Sequence, residues 1–280
     1  MSWLLPPSFT APLVVVLLYV LGVRRRIRLV GMVNPEWRRR GACFVAGLAS
    51  IVVVLSPSFH TWADELLWVH MLQHVVLMSI APPLIVLGAP WIPVWRGLPL
   101  GVRRPLARFA VGLPGIVRAG FRCLRDPYVA FVLASLDLAV WHVPALYDLT
   151  LRSNAVHYTE HALFVAVGLL FWLQVLDSPP LHPRLTALWR AGYATAGAVT
   201  GWVLALVLAF APTPIYTAYA SLTHRPGGIS AIGDQELAAG VMIGVGAIPF
   251  SVAVFVLVYQ WLDEERPPRS RRRATATAAR

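Results

Sequence analysis

Long apolar runs, separated by short stretches rich in arginine or proline, dominate the chain. They neither alternate with the two-residue period of a half-buried strand nor keep one polar face in the manner of a surface helix. Seven of them reach or approach the roughly 20 residues that a spanning helix needs: about 5–23, 41–57, 65–88, 127–146, 154–177, 187–211 and 234–262. The pattern predicts an all-α integral membrane protein, a bundle of about seven transmembrane helices. The first two runs are the shortest, one interrupted by Pro6, Pro7 and Pro12 and the other barely spanning. The arginines follow Val14–Leu21 and do not precede it, which argues against a cleaved signal.

Composition supports this reading. With 58% hydrophobic and 13% charged residues among 280, a soluble domain would be left with more apolar surface than it can cover. All 24 basic residues are arginine, and all but Arg152 and Arg225 fall in the segments after runs one, three, five and seven. By the positive-inside bias the N-terminus is outside and the C-terminus cytoplasmic. Arginine loops flanking hydrophobic spans select anionic lipids as partners and no nucleic acid. Residues 1–266 read as a single polytopic membrane domain and 267–280 as a disordered basic tail. The loop at 91–126 mixes arginine with apolar residues and fits either interfacial helices or a solvated basic segment. Cys43 and Cys123 map near the cytoplasmic face, where thiols stay reduced.

Several local features carry expectations of their own. Pro82-Pro83 and Gly88-Ala89-Pro90 predict a kink or an early end in the third span. Gly197/Gly201 and Gly240/Gly244 read as close helix-packing pairs. Trp62, Trp68, Trp141, Trp172, Trp189 and Trp261 read as interfacial anchors.

The candidate chemistry lies in histidine. All of the eight except His182 fall toward the outer side, and four form two HxxxH pairs, His70/His74 and His157/His161. Residues four apart share a helix face, so each pair points two rings in one direction. His70 and His74 lie roughly 8 and 14 Å below the start of their span at 1.5 Å per residue. His142 arrives at the outer end of span four, with Asp137 a turn and a half deeper, and Asp234 opens span seven from the same side. Imidazoles inside a bilayer are costly unless they bind something. The metal-ligand candidates are therefore His70, His74, His142, His157 and His161, with Asp137 and Asp234. Asp137 or Glu160 would orient the rings. For Asp137 a structural pairing weighs equally, and Asp234 is placed to cap span seven. His60, His182 and His224 taken singly, and Met71 and Met78, read as packing or interface residues.

Imidazole with thioether suits copper, and imidazole with carboxylate suits zinc or iron. The inner leaflet offers no histidines for a membrane-crossing cytochrome, vicinal His-His pairs of di-iron desaturases are absent, and there is no HExxH. A copper site for transfer, a zinc site for hydrolysis and a single outer-leaflet haem remain open.

The segments His70–Pro90 (HMLQHVVLMSIAPPLIVLGAP), Trp141–Trp172, Pro214–Ala220 (PIYTAYA) and Gly228–Ile243 (GISAIGDQELAAGVMI) resemble the polytopic CtaG family of bacterial cytochrome c oxidase assembly factors. The likeness covers roughly residues 40–262. It implies a multi-pass plasma-membrane protein without enzyme activity that helps mature a haem–copper oxidase. Copper would be the cofactor, and oxidase subunits and a copper donor protein the partners. The positions implied are His70, His74, His142, His157, His161, and Asp234 with Gln235. The family's Trp-Val-Pro-Gly-like continuation is replaced here by Gly244-Val245-Gly246-Ala247. The alternatives are a zinc-dependent hydrolase acting on lipid, with Asp137 as base or ligand, and a haem-binding membrane protein.

Overall fold

The computed structural model describes residues 7–30 and 35–265, so the expected tail at 267–280 lies outside the described residues. Among those described the chain is helical throughout, with a lone antiparallel bridge between Ser178 and Leu181. Four helical stretches are long and apolar enough to cross a membrane: Leu67–Gly88, Asn154–Val175, Ala187–Phe210 and Ala231–Glu264. Two bent pairs raise the number of candidate spans to as many as six. The run at 5–23 falls on α1 (Pro7–Val30), whose start is partly outside the described residues.

Proline and short side-chain caps set the bends. After α2 (Pro35–Val54), Ser56 accepts from the Phe59 amide at 3.4 Å and Pro57 opens α3 (Pro57–Glu65), tilted 55° from α2. Proline tolerates the first helical position because its missing N–H would be unpaired there anyway. The next span starts as α4 (Leu67–Val75), passes through a π turn at Val76–Ile80 and continues as α5 (Ala81–Gly88).

The expected kink at Pro82-Pro83 takes the form of this π turn. Pro82 has no N–H to return to the Met78 carbonyl, and Trp172 Nε1 donates to that oxygen at 3.3 Å instead. Ala89, with φ of 43°, ends the helix in the left-handed region.

The 91–126 loop folds into α6 (Trp91–Gly97), α7 (Leu100–Gly112) and α8 (Gly115–Leu124). α7 and α8 bury no residue and expose Phe109, Val111, Ile116 and Phe121. α6 lies against α1 so closely that a Cβ on Gly22 would sit 1.8 Å from the Pro93 carbonyl oxygen.

Asp126 caps α9 (Pro127–Trp141), accepting from the Tyr128 and Val129 amides. The chain then turns by 73° at His142-Val143 into α10 (Pro144–Arg152). α11 (Asn154–Val175), α12 (Ala187–Phe210), the single turn α13 (Thr217–Ala220) and α14 (Ala231–Glu264) complete the bundle. The α4–α5 span is the most enclosed of the four long ones, with 67% of its apolar window buried against 17% for α12 and 22% for α14. It is the axis around which the others pack, and it carries the first HxxxH pair.

Two packing expectations are corrected. Trp141 and Trp172 are buried, not interfacial: Trp141 Nε1 donates to Asp137 and Trp172 Nε1 to Met78. An indole N–H inside a core needs an acceptor; Trp141 finds one a turn back on its own helix and Trp172 finds one across helices. Of the glycine pairs, only Gly197 meets neighbours, the Phe171 ring and the Phe250 ring of α14. Gly201, Gly240 and Gly244 have nothing within 4 Å, so three of the four glycines make no close helix contact.

Candidate metal centre

α4 and α11 each deliver one HxxxH pair to the same point, at the end of the bundle capped by α3, α10 and α13. His70, His74, His157 and His161 are all buried, 0 to 5% exposed. His70 and His74 have ring centroids 4.5 Å apart, His74 and His161 5.6 Å, and His70 and His157 5.0 Å. The Nε2 atoms of His157 and His161 approach to 2.9 Å. Between the two α11 histidines, Glu160 is completely buried, with Oε1 3.5 Å from His74 Nε2.

One ligand atom from each of His70, His74, Glu160 and His161 lies within 4.8 Å of every other. Neither oxygen of Glu160, neither nitrogen of His74 and not Nε2 of His70 has a hydrogen-bond partner. A buried carboxylate without donors is among the most costly arrangements a protein makes. Three imidazoles and a carboxylate converging, with unpartnered ligand atoms on His70, His74 and Glu160, make the donor set of a divalent metal site, so these residues fit an ion.

The surroundings set the ring tautomers. Tyr219 Oη donates to the Ala63 carbonyl at 2.5 Å, and burial holds its hydroxyl well above the ordinary tyrosine range, so it stays protonated. With its one proton committed, its oxygen accepts from His70 Nδ1 at 2.9 Å. His70 thus carries its lone pair on Nε2. His142 Nδ1 donates to the Leu138 carbonyl at 2.8 Å, which leaves Nε2 buried and unpartnered, with the ring 5.9 Å from that of His74. Phe164 closes on His74 at 4.6 Å and Tyr147 on His70 at 5.1 Å. The enclosure is apolar.

The remaining sequence candidates lie outside the four-residue group. His142 and His157 flank it. Asp137 accepts from Trp141 through Oδ1 at 2.9 Å, and its Oδ2 is buried without a partner. Both oxygens of Asp234 are taken by backbone, the Leu67 amide at 2.9 Å and the Trp68 amide at 3.0 Å. Asp234 therefore caps α4, the helix bearing His70 and His74, while Ser230 caps α14. Gln235 ties the 211–216 segment down by accepting from Ile215 N and donating to the Leu208 carbonyl.

Asp234→Asn turns an NH2 group toward one of the two backbone donors that the carboxylate serves and is expected to cost about 1–3 kcal/mol, the range for a buried donor left unsatisfied. Thermal unfolding in detergent will show the loss, and metal content measured alongside is expected to stay unchanged.

Sequence reasoning cast Glu160 only as an orienting carboxylate and passed over Tyr219 and Tyr147. For Glu160 a signal was present, an acidic residue beside His161 within an otherwise apolar span. Tyr219 gave none, because its contact with His70 bridges 149 positions.

A family model described as cytochrome c oxidase caa3 assembly factor (Caa3_CtaG) matches residues 17–264. Among curated proteins, the chain is 26% identical over 245 residues to uncharacterized proteins of Mycobacterium bovis and Mycobacterium tuberculosis, covering 84% of this chain and 37% of each of theirs. An uncharacterized protein of Mycobacterium leprae is 23% identical over 257 residues, 91% of this chain and 39% of its own length. The chain thus spans less than two-fifths of the curated relatives it matches. No solved structure matches it.

Proposed function

Because the chain belongs to the cytochrome c oxidase caa3 assembly factor family, we propose that it holds copper in its buried imidazole–carboxylate group and helps deliver it to an oxidase subunit. The observation that carries this reading is the convergence of His70, His74, His161 and Glu160, with the ligand atoms of His70, His74 and Glu160 unpartnered and His161 bonded only to the neighbouring His157. His142 and His157 extend the donor set, and Asp137 orients its rim. The group lies at one end of a multi-pass bundle. We read that bundle as seven spans in a bacterial plasma membrane, with the N-terminus outside and the C-terminus cytoplasmic, as the arginine distribution predicts.

In that orientation copper arrives from an extracytoplasmic donor protein, and the arginine loops lie against anionic lipid headgroups. Imidazole and carboxylate ligands hold copper without the thiolates that would make release slow. Transfer by ligand exchange needs no covalent chemistry.

Glu160 supports a second reading, zinc, since imidazole with a carboxylate is a familiar zinc donor set. Haem is disfavoured: the cavity beside His74 and His142 has about 70 Å³, well below the roughly 300 Å³ at which small-molecule sites begin.

Elemental analysis of the purified full chain decides among these. Close to one copper per chain is expected, lost in His70→Ala and His161→Ala. Metal content unchanged in both variants rejects the site, and zinc in place of copper selects the second reading.

A further inference from the structure

The four-residue group is sealed, yet one line of imidazoles leads out of it. His60, on α3 outside the group, stacks on His157 with ring centroids 5.0 Å apart and planes 28° from parallel. His157 in turn meets His161 nitrogen to nitrogen at 2.9 Å, and His161 belongs to the centre. Exposure rises outward from His157 along the same line. The His161 and His157 residues are 5% and 3% exposed, the His60 side chain is 35% exposed, and the Asp64 side chain beside it is 53% exposed. His60 and Asp64 sit four apart, so they share one face of α3. His60 Nε2 and Asp64 Oδ2 are 4.0 Å apart, too far for a hydrogen bond between them and close enough to flank one cation.

We propose that His60 and Asp64 form an entry station that captures a divalent metal ion at the surface and passes it through His157 to the buried centre. This rests on the metal-binding reading of that centre. Each step is a ligand exchange, in which an imidazole nitrogen replaces the ligand behind it with no change of oxidation state. The carboxylate draws the cation toward the bundle end, and the rings carry it past the buried side chains around the centre. His60 thereby controls how fast the centre fills and not how tightly it holds.

The test measures rate and endpoint separately. The metal-stripped full chain in lipid nanodiscs is mixed with Cu²⁺ supplied as its glycine complex. Tryptophan quenching follows uptake, and elemental analysis gives the final copper. His60→Ala is expected to reach the parent's copper content with slowed uptake. Asp64→Asn is expected to slow uptake by about tenfold, the low end of what local charge focusing contributes to association rates. His60→Phe preserves a ring against His157 but offers no lone pair, and should match His60→Ala. Uptake at the parent rate in His60→Ala or His60→Phe overturns the proposal and leaves His60 a packing residue. A lowered final content in His60→Ala overturns it too, because the ring would then belong to the centre. If the parent takes up no copper, the reading of the centre fails first and the entry station with it.

Discussion

Stripped of metal, Glu160→Gln is expected to unfold at a higher temperature than the parent chain, and to lose that advantage once copper or zinc is supplied. Glu160 is completely buried, and neither carboxylate oxygen has a hydrogen-bond donor. A buried carboxylate without a hydrogen-bond donor costs several kcal/mol, and glutamine keeps the shape while removing the charge. With metal present the sign reverses. An ion that binds only the folded state adds about 4 kcal/mol at a thousandfold excess over its dissociation constant, and the variant forfeits the carboxylate that helps secure it. Differential scanning fluorimetry with and without metal reads both halves. A variant less stable than the parent under both conditions would mean that the carboxylate is satisfied without an ion, and the centre would lose its rationale.

The second large effect is steric and acts at a distance. Gly168 lies seven residues beyond His161 on α11, about 10 Å along the helix. A Cβ there would stand 2.8 Å from both the Met78 carbonyl oxygen and Pro82 Cγ. Gly168→Ala must therefore push α11 away from the π turn, at a cost of about 1–3 kcal/mol for overpacking. Because α11 carries His157, Glu160 and His161, the displacement is expected to lower metal occupancy as well as unfolding temperature. Gly192→Ala on α12, where nothing lies within 4 Å, is the control. It should stabilise by up to about 1 kcal/mol through helix propensity and leave occupancy alone. Equal behaviour of the two variants would show that the α5–α11 contact does not position the ligands.

The contrast between these two residues shows where sequence reasoning stopped. Both HxxxH pairs were legible, because a spacing of four places two rings on one helix face wherever the helix lies. That the two faces confront each other was not legible: rotation of α11 about its axis is set by contacts such as Gly168 against Met78, 90 residues apart in the chain. The same gap explains Asp234. An acidic residue in a first turn reads as a cap for its own helix, yet its carboxylate caps α4 across 167 positions. The short helices α3 and α10 escaped the span pattern because each is nine residues long, opens on proline and mixes polar with apolar positions. Trp141 and Trp172 show the converse limit. Position near the end of an apolar run cannot distinguish an indole facing headgroups from one donating to a carboxylate or carbonyl inside the bundle.

The π turn at Val76–Ile80 has a consequence for how this span tolerates change. One surplus residue in a regular helix would rotate everything on one side of it by about 100° relative to the other, and the wider turn absorbs it. The half that bears imidazoles and the half that bears Pro82-Pro83 are thus indexed independently, and each presents the face its own neighbours require. Deleting a single residue there would let the helix return to regular pitch with its backbone bonds intact. Inserting a residue into the regular helix beside it would instead swing His70 and His74 about 100° off their target, dismantling the donor set without removing any member of it.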